Sequence, residues 1–66
     1  MTLEELKKEF INGSTFTRMT GIAHVNWYRY FKRYGYVPIE SQLMIEAATN
    51  GKLKASLDHI PKGVYR

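Results

Sequence analysis

Glycine, asparagine and proline interrupt this chain so often that it can form only short helices or strands. Asn12-Gly13, Gly21, Gly35 and Asn50-Gly51 stand where a left-handed backbone would end a helix, and Pro38 cannot continue one. Short elements bury little surface alone and must pack against one another. The spacing of these stops therefore predicts several short elements around one core.

Length and composition set further limits. A chain of 66 residues holds one domain, and such domains bury only about 60% of their unfolded surface, so a large active-site cleft is not expected. The absence of cysteine excludes disulfides, thiolate chemistry and a cysteine zinc finger. No apolar run approaches the roughly 20 residues of a membrane span, and no signal peptide is evident. We expect a cytoplasmic protein with no membrane partner.

The charge balance favours a polyanionic partner. Ten Lys and Arg residues against six Asp and Glu residues give a formal net charge of +4, and the pI is near 9.6. Nucleic acid is the partner class that such a balance suits, although many basic proteins bind none.

The first segment has the sequence of a capped helix. Thr2-Leu-Glu-Glu5 matches a capping box, in which the Thr2 hydroxyl and the Glu5 carboxylate each bind a free backbone amide. The apolar residues that follow at helical spacing form one stripe: Leu3, Leu6, Phe10 and Ile11. We expect this helix to end at Asn12-Gly13.

A second, shorter helix is expected next. Ser14 is suited to its N-cap, and Gly21 closes it after about Thr20. Phe16 and Met19 are expected to face inward.

The third helix is expected from about Ile22 to Tyr34, ending at Gly35. Two short helices joined through Gly21 form a helix-turn-helix, whose second helix enters the major groove while the first braces on the DNA backbone. One side should anchor the helix to the core: Ile22, Trp27, Tyr30, Phe31 and Tyr34. The other side carries the candidate DNA contacts: His24, Val25, Asn26, Tyr28, Arg29, Lys32 and Arg33.

A fourth helix is expected from about Pro38 to Thr49, stopped by Asn50-Gly51. Its apolar residues are Leu43, Met44, Ile45 and Ala47. Residues 56–60 carry signals for one further turn, and residues 52–57 alternate enough to leave a short strand open. We predict an all-α, single helix-turn-helix domain of four to five short helices over residues 1–61, followed by a tail at 62–66.

Several segments occur in a characteristic order: Gly21-Ile22 with Trp27 and Tyr30, Lys32-Arg-Tyr-Gly-Tyr-Val-Pro-Ile-Glu40, Ile45-Glu-Ala-Ala-Thr-Asn-Gly-Lys52 and Leu57-Asp-His-Ile-Pro61. Over roughly residues 13–61 they resemble the phage Cro proteins and the related YdaS-type prophage regulators. The resemblance implies a small lambda-repressor-like helical domain that binds operator DNA in a phage or prophage switch, often as a dimer.

The resemblance also implies roles for individual residues. The family's groove-facing positions fall at the start of the third helix: His24, Val25, Tyr28 and Arg29. Ser14 and Thr15 fall at the start of the bracing helix, where phosphate contacts are usual. Lys32 falls near the DNA backbone, and we expect Lys32 and the adjacent Arg33 to neutralise phosphates.

The sequence departs from the family at four places. Thr17 stands where alanine is usual at the helix crossing, Thr20 stands where leucine is usual, and Trp27 replaces a smaller aliphatic residue. One residue is inserted before Lys32. These departures predict a wider crossing of the two helices.

Side-chain chemistry assigns the base-reading roles. Arg29 can donate two hydrogen bonds to guanine O6 and N7, and Asn26 can pair with adenine in the same two-point way. Val25 suits a thymine methyl group, and Tyr28 suits either a base edge or a phosphate.

The expected partner is double-stranded operator DNA, bound by a homodimer. One recognition helix reads few base pairs, and two half-sites about 34 Å apart would restore specificity. The candidate dimer surfaces are residues 36–43 and the chain from Leu53 onward.

Other chemistries find less support. The aromatic residues between Trp27 and Tyr36 suit core packing better than stacking on single-stranded bases. His24 and His59 have no second metal ligand at a useful spacing. Carboxylates at positions 40 and 46 face different directions on a helix, and the hydroxyls of Ser14, Thr15 and Thr17 have no histidine in triad order. We expect no enzyme activity, metal, cofactor or small-molecule substrate.

Two alternative functions remain. The first is a protein-interaction module, such as an antitoxin or anti-repressor, using exposed aromatic residues near Tyr34, Tyr36 and Tyr65. The second is an architectural DNA bender, for which the sequence offers no wing or minor-groove wedge.

Overall fold

A computed structural model describes residues 1–63 and is helical throughout its regular elements. The helices are α1 (Leu3–Phe10), α2 (Gly13–Thr20), α3 (His24–Tyr28), which continues directly into a π-helical segment (Arg29–Tyr34), and α4 (Ile39–Ala48). The described residues contain no strand, so the alternative strand at 52–57 is excluded. The prediction of a small all-α helix-turn-helix domain is confirmed.

The predicted cap of α1 is confirmed. The Thr2 hydroxyl accepts a hydrogen bond from the Glu5 amide at 3.1 Å, and the Glu5 carboxylate accepts one from the Thr2 amide at 2.8 Å. The bond from the Thr2 backbone is the main cause that lowers the pKa of Glu5 below 4.5. Leu6 and Phe10 are fully buried, as the stripe predicts, whereas Ile11 is exposed, so its assignment to the stripe is wrong.

The corner between α1 and α2 is tighter than the sequence predicts. Ile11, not Asn12-Gly13, ends α1, with φ 73° and ψ −50°. Asn12 is the N-cap of α2, because its side-chain oxygen accepts from the Thr15 amide at 2.9 Å. Ser14 therefore lies inside α2, and the prediction of Ser14 as its cap is wrong. Asparagine is among the best N-cap residues, which explains the earlier start.

The shifted start also changes which residues of α2 face the core. Its inward stripe runs along Gly13, Phe16, Thr17 and Thr20, at helical spacing, whereas Met19 lies off that stripe and is exposed. The expectation that Met19 faces inward is therefore wrong. Gly21 ends the helix in the left-handed conformation at φ 78°, as predicted.

The third helix starts later than predicted and widens part-way. It begins at His24, while Ile22 is buried within the preceding turn. From Arg29 the helix is π-helical, and its last bond runs from the Gly35 amide to the Tyr30 carbonyl at 2.9 Å. Each π-helical turn contains more residues than an α-helical turn, which changes the direction of the side chains from Arg29 onward.

The core centres on Phe16. Its ring contacts Phe10, Trp27 and Tyr30, with centroids 5.3, 5.1 and 5.9 Å away, so one residue of α2 joins α1 to the third helix. The other buried members of the cluster are Met1, Leu6, Ile22, Val37, Ile45 and Leu53. Tyr34, expected in the core, is exposed at the end of the π-helical segment and pairs with Tyr36.

Helix α4 buries a polar residue and leaves two large apolar residues exposed. Leu43 and Met44 are exposed, whereas Gln42 and Ile45 face inward. The Gln42 amide donates to the Val37 carbonyl at 2.8 Å and accepts from the Ser56 amide at 2.8 Å and the Met1 amino group at 3.0 Å. A buried amide is stable only with such partners, and two of the three, Met1 and Ser56, lie far from Gln42 along the chain.

The chain after α4 is irregular. The helix stops at Asn50-Gly51, with φ 54° and 81°, as predicted. Glu46 is half-buried and accepts a hydrogen bond from the Ala55 amide at 2.6 Å. Residues 56–60 form a turn rather than a fifth helix. Most of the predicted tail, including Tyr65, lies outside the described residues.

Candidate nucleic-acid interface

The third helix is held by its inner side and leaves its outer side open. Gly21 turns the chain after α2, and the helix then packs on Phe16 through Trp27 and Tyr30. Thr17 lies on the inner stripe of α2, and its hydroxyl is buried without a hydrogen bond among residues 1–63. The anchored side determines which residues the helix presents to solvent.

Four of the five predicted base-reading residues are exposed. The exposed fractions of Val25 and Tyr28 are 49% and 59%, and His24 and Arg29 are also exposed. Residues four apart lie on the same helical face, so His24 lies beside Tyr28 and Val25 lies beside Arg29. The rings of His24 and Tyr28 stack with centroids 5.7 Å apart and planes at 18°. The structure thus brings these four residues onto one continuous surface.

Asn26 differs from its neighbours because it is only partly exposed. A two-point contact with adenine needs the whole side-chain amide to reach a base edge. Asn26 therefore has weaker geometric support for base reading than Arg29 does.

The predicted phosphate contacts divide into two groups. Ser14 and Lys32 line one open cleft with His24 and Tyr28, whereas Arg33 is exposed but does not line this cleft. Thr15 is partly buried, and its amide is already bound by the Asn12 cap.

The cleft has a volume of about 530 Å³ and lies between the end of α1, the start of α2 and the third helix. Its lining is cationic, polar and aromatic: Lys7, Ile11, Asn12, Gly13, Ser14, His24, Trp27, Tyr28, Phe31 and Lys32. None of these residues is acidic, so the cleft can accept an anion without repulsion from its own walls.

The His24 ring lies directly over Gly13 at the cleft. A Cβ atom at this position would clash with that ring, so a larger residue would require His24 to move. The sequence pattern assigned Gly13 to a helix stop and did not point to Lys7 or Ile11 as site residues. Lys7 and Ile11 line the cleft because of the tight corner between α1 and α2, and no sequence motif predicts that corner.

Charge is distributed unevenly along the molecule. No acidic residue occurs between Glu9 and Glu40, the stretch that forms α2 and the third helix. Within residues 1–63 the single ion pair joins Lys52 to Glu9 at 3.0 Å. Arg29, Lys32 and Arg33 are therefore not neutralised by any acid in the described part of the chain.

Two further features are absent from the described residues, namely a cluster of metal ligands and a membrane-spanning helix. Among residues 1–63 no three His, Cys, Asp or Glu side chains come together as a metal site would require. None of the helices described is long and apolar enough to cross a membrane.

Comparison with known proteins gives no relative. No family model, curated protein or solved structure matched this chain. The resemblance to Cro-type regulators thus stays a prediction, and the functional argument depends on the geometry of the site.

Proposed function

We propose that this protein is a sequence-specific DNA-binding regulator that inserts the third helix into the major groove of duplex DNA. The observation that carries the proposal is the exposed, acid-free outer face of this helix, with the opposite face anchored on Phe16. An α-helix fits the major groove, and a helix-turn-helix holds its second helix in the orientation that groove entry requires.

The side chains on this face suit complementary tasks. Arg29 is the best reader of a guanine, since its guanidinium offers paired donors and has no acidic partner among residues 1–63. Val25 suits a thymine methyl group, and His24 and Tyr28 form a stacked pair that can reach bases or phosphates. Lys32 and Ser14 would contact the sugar-phosphate backbone from the adjoining cleft.

We further propose that two copies bind one operator. Leu43 is 57% exposed, and Met44 and Leu57 are also exposed, so each offers an apolar side chain to a second copy. Symmetric dimers bind half-sites about one helical turn apart and so double the length of sequence that is read. The resemblance to Cro-type proteins favours a repressor of phage or prophage genes that acts in the cytoplasm of a bacterial cell.

The test is selection of bound duplexes from a random DNA pool by the purified protein at roughly physiological salt, followed by sequencing. An enriched inverted repeat with half-site centres about 10 base pairs apart would support a dimeric regulator. A single enriched half-site would retain DNA binding but remove the symmetric dimer. No enrichment would contradict the proposal.

The second candidate is a protein-interaction module on the same fold. The exposed Leu43 and Met44 favour it, because apolar residues of this kind also form protein interfaces. Salt separates the two functions. DNA binding weakens steeply as salt rises because counterions are released, whereas a mainly apolar protein contact does not weaken in this way.

A further inference from the structure

Ile11 has a backbone conformation that isoleucine rarely adopts. Its φ of 73° and ψ of −50° belong to a γ-turn, closed by a hydrogen bond from the Asn12 amide to the Phe10 carbonyl at 2.8 Å. A β-branched residue with positive φ is an outlier, and glycine is the residue that suits this conformation.

Packing does not explain why isoleucine stands there. The side chain is 72% exposed, so it contributes almost nothing to the core in return for the strained backbone. Strain that the core does not need tends to occur at functional sites. Ile11 lines the open cleft beside α3, and it is the exposed aliphatic side chain there.

The chemistry of the cleft matches a sugar-phosphate backbone. Lys7 on α1 and Lys32 on the third helix supply positive charge, and no acid lines the cleft. Ile11 supplies an apolar surface of the kind that packs against a deoxyribose ring. The cleft also includes His24 and Tyr28 from the groove-facing side, so a strand that borders the occupied groove would pass beside it.

We propose that Lys7 and Ile11 extend the DNA-binding surface onto α1: Lys7 pairs with a phosphate, and Ile11 packs against the adjoining deoxyribose. This inference rests on the proposed function. It adds a contact from outside the helix-turn-helix that positions the protein without reading sequence.

The test uses the duplex recovered by selection with the wild-type protein. Ile11→Gly relieves the strained φ, so we expect a higher unfolding midpoint together with roughly three- to tenfold weaker binding to every duplex. Lys7→Gln should flatten the plot of log K against log salt by about one unit. Lys8→Gln is the matched control, because Lys8 is an exposed neighbour on α1 that does not line the cleft.

Several results would overturn the inference. Wild-type affinity in Ile11→Gly would remove Ile11 from the DNA-binding surface, and a loss of stability in that variant would remove the backbone strain from which the inference starts. Equal salt slopes for Lys7→Gln and Lys8→Gln would remove Lys7. A wild-type protein that enriches no duplex would refute the proposed function itself, which distinguishes that failure from failure of the α1 contact alone.

Discussion

Arg29 combines exposure, position and freedom from acidic partners more completely than any other residue of the groove-facing surface. It lies one helical turn after Val25, and no acid among residues 1–63 lies within ion-pair distance. Lys32 and Arg33 share its charge, but a lysine is a point charge, and Arg33 lies one turn further from the N-terminal end of the helix, whose residues contact base edges in a helix-turn-helix. Sequence reading is therefore expected to depend on Arg29 more than on either neighbour.

We expect Arg29→Ala to cost about 1–3 kcal/mol of binding free energy on the selected operator and to relax preference at one base pair. Arg33→Ala is the control and should weaken binding to all duplexes alike. The measurement is titration of the operator and of variants with a single base change. Equal losses on every sequence for Arg29→Ala would contradict its role as a base reader.

Tyr30 shows the cost of a polar atom in a small core. Its side chain is 1% exposed, and its hydroxyl makes no well-formed hydrogen bond within the described residues. Burial raises the pKa of Tyr30 above 10, and the Ser41 side chain partly offsets that rise. A buried hydroxyl without a partner costs about 1–3 kcal/mol, so the ring rather than the hydroxyl stabilises the fold.

Tyr30→Phe should leave stability unchanged or raise it by up to about 1 kcal/mol at pH 7. Because the pKa is raised in the folded state, the stability due to neutral Tyr30 is present below pH 10 and lost as the pH rises through the folded-state value. Tyr30→Phe should therefore lose less stability at alkaline pH than the wild type does. Tyr28→Phe changes a surface residue and serves as the control, which should lose as much stability as the wild type. Urea unfolding at pH 7 and at alkaline pH measures this. Marked destabilisation of Tyr30→Phe at pH 7 would indicate that the hydroxyl is hydrogen-bonded.

At the scale of elements, local caps define where the helices begin and end. Asn12, Gly21 and Gly35 each determine an end of α2 or of the third helix through contacts within a few residues. These ends orient the third helix, and the π-helical segment then changes the direction of the side chains from Arg29 onward. The direction of Lys32 and Arg33 is therefore a property of that turn.

The α1 cap gives a prediction at this scale. Thr2→Ala should cost about 0.5–2 kcal/mol of unfolding free energy.

The pKa of Glu5 is lowered in the folded state, so the stability that its carboxylate contributes is present above pH 4.5 and is lost as the pH falls through the lower folded-state value. Glu5→Gln can retain the capping bond and should reduce that acid dependence. Thermal unfolding between pH 3 and 7 provides the measurement, and an unchanged acid profile in Glu5→Gln would contradict the assignment.

At the scale of the whole molecule, the candidate DNA contacts and the candidate dimer residues lie on different elements. The acid-free stretch forms α2 and the third helix, whereas the exposed Leu43 and Met44 lie on α4. This separation lets the protein bind DNA through one surface and a second copy through another. The proposed dimer therefore does not compete with the proposed DNA contact.

Leu43→Gln should leave monomer stability nearly unchanged, because Leu43 is 57% exposed, yet weaken self-association. Affinity for a two-half-site operator should fall while affinity for a single half-site does not. Sedimentation equilibrium and titration of both duplexes measure this. Leu57→Gln provides the comparison on the other candidate dimer surface. If neither variant changes the association state, both surfaces are excluded.

The sequence by itself determined the helical class, the order of the helices, the α1 cap and the stops at Gly21, Gly35 and Asn50-Gly51. It did so because capping and left-handed turns depend on residues only a few positions apart. The exposed position of the residues at the start of the third helix also followed from its periodicity.

Which residues face the core depends on how the helices pack together. Gln42 is buried while Leu43 is exposed, and the Gln42 amide accepts hydrogen bonds from Met1 and Ser56, which lie far from it along the chain. The His24 ring likewise lies over Gly13, eleven positions away along the chain. Such contacts between distant residues leave no periodic signal, since each depends on how neighbouring helices pack rather than on the spacing of residues within one helix.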